Sequence, residues 1–141
     1  MFNREEILQA FEEKGLRATS QRYCIMEYLA RRPVHLTADE IFRAVNRSDP
    51  RASRATVYNS LNALSEAGLV RDISVDGKAT LFDSNLRRHH HFVCDLCAAV
   101  EDVEWFESPR FSRAELAGRR IREFEVVLRG TCKKCNSKAT V

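Results

Sequence analysis

Nine side chains of this 141-residue chain are cysteine or histidine, and seven of them fall into three tight groups. Cys94-x-x-Cys97 and Cys132-x-x-Cys135 are separated by 34 residues. Two matched pairs, each entering a turn after an extended segment, are the usual way to present four thiolates to one tetrahedral zinc. A redox dithiol would need only one pair, and structural disulfides do not suit a chain that reads as cytosolic. Four thiolates also close the coordination shell, so the expected role is structural. The fifth cysteine, Cys24, stands beside Ile25 in a helical stretch and reads as a small half-buried side chain.

The run His89-His90-His91 is the second group. On a strand, His89 and His91 point to one face and His90 to the other, so two imidazoles converge. Asp102, in the segment after the first Cys pair, can pair across that hairpin and add a carboxylate. Two imidazoles and a carboxylate suit iron or manganese better than they suit a thiolate-seeking metal. Two readings follow. With open positions the set is an oxygenase-type iron site, and the chain an enzyme. With further ligands from elsewhere, His35 and Asp83 being available, it is a sensor that couples metal binding to domain orientation.

The elements that must position these residues fall into two halves. Asn3 with Glu6 is a capping pair for a helix to about residue 14, stopped by Gly15. A second helix covers 20–31, with Ile25, Tyr28 and Leu29 as its apolar stripe and Pro33 beyond it. Thr37 with Glu40 caps a third helix over 38–46, and Asp49-Pro50 breaks the chain. A fourth helix covers 54–67, burying Val57, Leu61 and Leu64 and ending at Gly68. Strands are expected at 69–74 and 78–82, joined by an Asp76-Gly77 turn. Helices followed at once by a hairpin are the order of a winged helix-turn-helix.

After residue 83 the pattern is richer in strands. Strands are expected at 89–94 and 99–104, then a helix over 112–123 capped by Ser112 and Glu115, then a strand over 124–130. The fold class is therefore α+β: a winged helix-turn-helix domain over 1–83, a hinge at 84–87, and a small α/β zinc domain over 88–141. With Val57, Leu61 and Leu64 inward, the fourth helix turns Ala55, Tyr58, Asn59 and Asn62 outward, a face able to read base edges. Arg47, Arg51 and Arg54 precede it, and Lys14, Arg17 and Arg22 form a second basic group suited to phosphates.

Bulk composition sets limits rather than pointing to a partner. The chain is 44% hydrophobic and 30% charged, a folded composition. It holds no run near the ~18 apolar residues of a membrane span, and four acids in the first 15 residues argue against a secretory leader. The expected compartment is the cytoplasm. Residues 1–83 carry 12 basic and 12 acidic side chains, and 84–141 carry 11 and 8, which accounts for the net +3. That balance does not advertise nucleic acid, so DNA binding rests on local patches and the motif.

From about residue 15 onward the chain resembles the ferric uptake regulator (Fur) family of metal-dependent bacterial repressors. The segments that carry the resemblance are GLRATSQR, HLTADEIF, SRATVYNSLNALSEAGLV, LFD, HHHFVCDLC and the terminal CKKC. Within the family the likeness is greatest to the peroxide-responsive branch. The resemblance implies a homodimeric repressor that is not an enzyme, with the second domain as the dimerisation domain and a palindromic double-stranded operator as partner. It implies structural Zn(II) at Cys94, Cys97, Cys132 and Cys135. It also implies a regulatory Fe(II) or Mn(II) site at His35, Asp83, His89, His91 and Asp102, and DNA contacts from Arg17, Arg54, Tyr58 and Asn59. Aspartate at the position of Asp102 goes, in the family, with peroxide sensitivity, and oxidation is then expected at His35 and His89. The alternative is an iron- or zinc-uptake repressor released when metal is scarce. Two positions depart from the family pattern: Ala98 stands where glycine is usual after the second cysteine, and Phe124 stands where many iron-uptake members have histidine.

Overall fold

The computed structural model describes residues 3–31, 35–48, 50, 52–74, 77–107 and 116–138. The chain divides into two units, Met1–Leu86 and Arg87–Val141.

In the first unit, helix α1 (Arg4–Glu13) begins with the expected reciprocal cap. Glu6 N–H donates to Asn3 Oδ1 at 2.9 Å, and Asn3 N–H donates to Glu6 Oε2 at 2.7 Å. Thr19 caps α2 (Ser20–Ala30), and Ser53 caps α4 (Arg54–Glu66). At α3 (Ala38–Ser48) the Thr37–Glu40 pair forms the same kind of box, with Thr37 N–H donating to Glu40 Oε2 at 2.8 Å. The apolar stripes meet in one core that includes Ile7, Phe11, Ile25, Leu29, Ile41, Val57, Leu61 and Leu64. Tyr28 is only half-buried, and Met26 takes the deeper position on α2.

The wing is shorter than its hydrophobic runs suggest. β2 (Arg71–Ile73) and β3 (Leu81–Asp83) pair antiparallel, while Leu69 and Val70 are buried in the helical core ahead of β2. A two-residue strand, β1 (Leu36–Thr37), adds to the other edge of β3 with Leu36 opposite Phe82. Gly77 closes the hairpin with a φ of 64°. Pro33, Asp49, Arg51, Asp76, Ser112 and Glu115 lie outside the described residues.

The second unit is a three-stranded sheet ordered β5-β4-β6. β4 (His89–Cys94) pairs antiparallel with β5 (Val100–Glu104) and parallel with β6 (Val127–Gly130). Parallel pairing brings the C-terminal ends of β4 and β6 together, with Cys94 opposite Gly130. That places both Cys pairs at one end of the sheet and the histidines toward the other. A short helix, α5 (Lys133–Lys138), follows Cys132.

The helix expected to reach residue 123 ends earlier. Leu116 is helical, but Ala117 (φ 45°) and Gly118 (φ 74°) are left-handed and terminate it. The strand expected from residue 124 begins at Val127, where pairing with β4 begins.

Candidate metal centres and nucleic-acid interface

The four paired cysteines come together as expected, each offering a sulfur within 4.8 Å of the others. Cys97 Sγ and Cys132 Sγ are 3.8 Å apart, which fits the edge of a tetrahedron with metal–sulfur bonds of about 2.3 Å. Backbone N–H groups turn toward the sulfurs: Cys132 N–H donates to Cys94 Sγ at 3.3 Å and Cys135 N–H to Cys132 Sγ at 3.4 Å. The N–H of Cys132, then that of Cys97, lowers the Cys94 thiol to about 6. Crowding by the Cys132 and then the Cys97 sulfur pushes Cys135 up to about 12. With Cys135 held protonated beside an ionised Cys94, full ionisation needs a cation, so this donor set fits zinc and loading it must expel protons. Cys94 is ionised above about pH 6 while Cys135 holds its proton far higher. Zinc affinity is therefore expected to rise with pH between about 7 and 9, as read by chelator competition.

The first knuckle contains a strained residue. Ala98 N–H donates to Cys94 O at 2.9 Å, closing the turn, and Ala98 has a φ of 58°. An L-residue is disfavoured in that region by about 1–2 kcal/mol, and glycine is not. Ala98→Gly is expected to stabilise the zinc-loaded protein by about 1 kcal/mol, seen as a higher melting temperature with unchanged zinc content.

The second donor set of this unit lies on β4 and β5. His91 stands directly opposite Asp102 in the register, and His89 opposite Glu104. His89 Nε2 lies 3.1 Å from His91 Nε2 and 3.3 Å from Asp102 Oδ1. Donors that are neighbours around a six-coordinate ion, with bonds of about 2.1 Å, lie roughly 3 Å apart, so both contacts of His89 fit neighbouring positions on such an ion. Arg87 O can only accept, so its 2.7 Å contact with His89 Nδ1 places the proton there and leaves Nε2 as the donor atom. His90 points to the opposite face, as alternation requires. Its Nδ1 accepts from Val126 N–H at 3.0 Å, its Nε2–H donates to Phe106 O at 2.9 Å, and its ring stacks on Trp105. It is a structural imidazole with both nitrogens committed.

Within the first unit, His35 and Asp83 form a pair of their own. His35 Nε2 is 3.5 Å from Asp83 Oδ2, and both side chains are buried. Asp83 Oδ1 accepts from Asn85 N–H at 2.8 Å, which fixes the carboxylate's rotation. A buried imidazole–carboxylate pair at this spacing is a fitting two-donor fragment for a divalent cation.

On α4, Val57, Leu61 and Leu64 are fully buried, and Ala55, Tyr58, Asn59 and Asn62 are exposed. Arg17 and Arg47 are exposed. Arg54 is engaged locally: its guanidinium contacts Asp39 Oδ1 and lies over the Phe42 ring. Sequence reasoning missed this brace, the roles of Asn85 and Val126, and Glu125, whose Oε2 lies 3.5 Å from His91 Nδ1. The parallel β4–β6 register that brings residues 125–127 beside the histidines has no local signature.

A winged helix-turn-helix unit joined to a zinc-knuckle unit, each carrying imidazole and carboxylate donors, defines a metalloregulator of transcription. The sequence pattern of the ferric uptake regulator family matches residues 13–127, and the chain belongs to that family. Members are DNA-binding transcriptional regulators, not enzymes, and act as dimers. The chain is 32% identical over 139 residues to the peroxide-responsive repressor PerR of Staphylococcus aureus, covering 95% of this chain and 92% of that protein. It superposes on the Helicobacter pylori ferric uptake regulator, a protein described with three functional metal-binding sites, with a TM-score of 0.73 at 20% identity, covering 96% and 95% of the chains. It superposes on PerR of Streptococcus pyogenes, described as sensing peroxide, with a TM-score of 0.54 at 27% identity, covering 96% and 94%. Among the described residues, no helix is long and apolar enough to cross a membrane.

Proposed function

We propose that this regulator is a cytoplasmic, peroxide-sensing repressor that binds a palindromic operator as a homodimer. The observation that carries the reading is the Asp102 carboxylate in contact with His89, beside His91. His35, Asp83, His89, His91 and Asp102 supply five donors to one Fe(II) or Mn(II) ion, and Cys94, Cys97, Cys132 and Cys135 hold structural Zn(II). Five donors leave a six-coordinate ion one position for a small molecule.

Because His35 and Asp83 belong to the winged-helix domain and the other three to the dimerisation domain, occupancy of the site biases the hinge between them. The favoured arrangement sets two reading helices about 34–36 Å apart, or a multiple, to meet successive major grooves. Tyr58 and Asn59 face base edges and Arg17 faces phosphates, while Arg54 would reach a phosphate only by leaving its brace on Asp39. Fe(II), when bound, would supply the electron that splits the O–O bond of hydrogen peroxide, giving hydroxide and a hydroxyl radical. The radical would add to an imidazole carbon of His35 or His89. Loss of one further electron, back to the oxidised iron, and of one proton, which joins the hydroxide as water, leaves one added oxygen. An oxidised imidazole is a poorer donor. The donor set then fails and the hinge is released.

Peptide mass spectrometry on the Fe(II)-loaded protein after mild peroxide tests this, with an Mn(II)-loaded control. One added oxygen on His35 or His89, in the iron form only, is the expected result. Unmodified histidines, with DNA binding still dependent on metal, would instead assign the chain to the metal-uptake repressors. Imidazole ligation also requires Mn(II) affinity to fall as pH drops from about 7.5 to 5.5. A flat profile in isothermal titration would exclude it.

A further inference from the structure

We propose that Glu125 is a positioning residue for the regulatory metal: its carboxylate stands beside the outer nitrogen of His91 at ion-pair distance and biases the inner nitrogen toward the cation. The inference rests on the metal site proposed above. His89 Nε2 and His91 Nε2 face each other at 3.1 Å, with Asp102 Oδ1 3.3 Å from the former, so these are the inner atoms. The outer atoms are the two Nδ1 positions. That of His89 donates to the Arg87 carbonyl at 2.7 Å, and that of His91 lies 3.5 Å from Glu125 Oε2. A carboxylate in this place favours the Nδ1–H tautomer and leaves the Nε2 lone pair for the metal, the carboxylate–histidine–metal relation of outer coordination shells.

The backbone holds Glu125 where it can do this. Val126, its neighbour, is clamped from both sides: its C=O accepts from His91 N–H at 3.0 Å, and its N–H donates to His90 Nδ1 at 3.0 Å. The next residue, Val127, opens β6 opposite His91. Glu125 therefore precedes a residue bonded to the His91 backbone and the His90 ring. The two imidazoles differ in one respect that matters. The outer partner of His89 is a neutral backbone carbonyl, whereas that of His91 is an anionic side chain about half exposed. Only the second can be changed by substitution, so metal affinity is adjustable at residue 125 without touching a ligand.

Glu125→Leu is expected to weaken Mn(II) binding about 10- to 100-fold with zinc content and melting temperature unchanged. Glu125→Gln, which keeps an acceptor but loses the charge, should fall between the two. In the Co(II)-loaded protein the shifted Nδ1–H resonance of His91 should exchange with water faster in Glu125→Leu. Mn(II) affinity within twofold of the parent, or unchanged N–H exchange, would overturn the inference. His89→Ala separates the two layers: if it too leaves Mn(II) binding intact, the metal site itself is wrong. If it abolishes binding while Glu125→Leu does not, only the role of Glu125 falls.

Discussion

Cys132→Ser is expected to yield a protein without bound zinc, with a disordered C-terminal unit and no dimer. Burial explains why the effect should be so large. The hydrophobic core runs from Ile7 to Phe82 and lies wholly in the N-terminal unit. In the C-terminal unit the buried apolar side chains among the described residues are Val93, Cys94 and Cys132, two of them zinc-site cysteines. A unit this small with so little apolar interior needs a staple. Structural zinc contributes on the order of 10 kcal/mol, as much as the whole net stability of a typical domain. Loss of one thiolate also removes the sulfur that accepts the Cys135 N–H. Elemental analysis, size-exclusion chromatography and amide exchange read the three parts of the result. Helical exchange protection in residues 4–66 should survive, because that core contains no zinc ligand. A folded, zinc-loaded, dimeric Cys132→Ser protein would contradict the argument.

His89→Ala should do the opposite, leaving the fold and the zinc intact while removing the response to metal. His89 contacts both His91 and Asp102, so its loss takes away one donor and the neighbour of two others. Mn(II) affinity should drop by at least about 100-fold, more than the loss of an outer partner would cause. Specific DNA binding commonly exceeds non-specific binding by 10³ or more. Titration of labelled operator DNA should therefore show Mn(II)-dependent affinity falling by about that factor, toward the metal-independent level. If His89→Ala binds DNA as the parent does, the histidine cluster is structural and the chain is a zinc module that ignores the second metal.

The parts of the fold that could be read from the residues are those specified by local chemistry. The Asn3–Glu6 and Thr37–Glu40 boxes mark helix starts because both partners lie within four residues of each other. The α4 stripe and the β4 boundaries are equally local. What could not be read depends on distant pairing. β1 is two residues long and exists because β3 lies beside it. Val127 begins β6 because His91 is opposite, although the alternating pattern starts three residues earlier. The helix end at Leu116 is the exception: Gly118, left-handed like Gly15 and Gly68, is a local stop signal in the sequence. At the candidate metal centres, the clustering of donors was legible as cysteine pairs and histidine alternation. The groups beside the outer histidine nitrogens, the Arg87 carbonyl and Glu125, were not.

β4 carries a consequence for the order of events in the cell. The strand begins at His89 and ends at Cys94, so a zinc ligand and two regulatory donors share six consecutive residues. A strand of that length spans roughly 17 Å and stretches little. With zinc on the four sulfurs one end would be moored, and the other would offer two imidazole nitrogens to the proposed regulatory ion. The zinc end would then be the datum against which the second ion is read. On the proposed sites, zinc loading would precede sensing of the second metal, because the strand that carries His89 and His91 is anchored at Cys94.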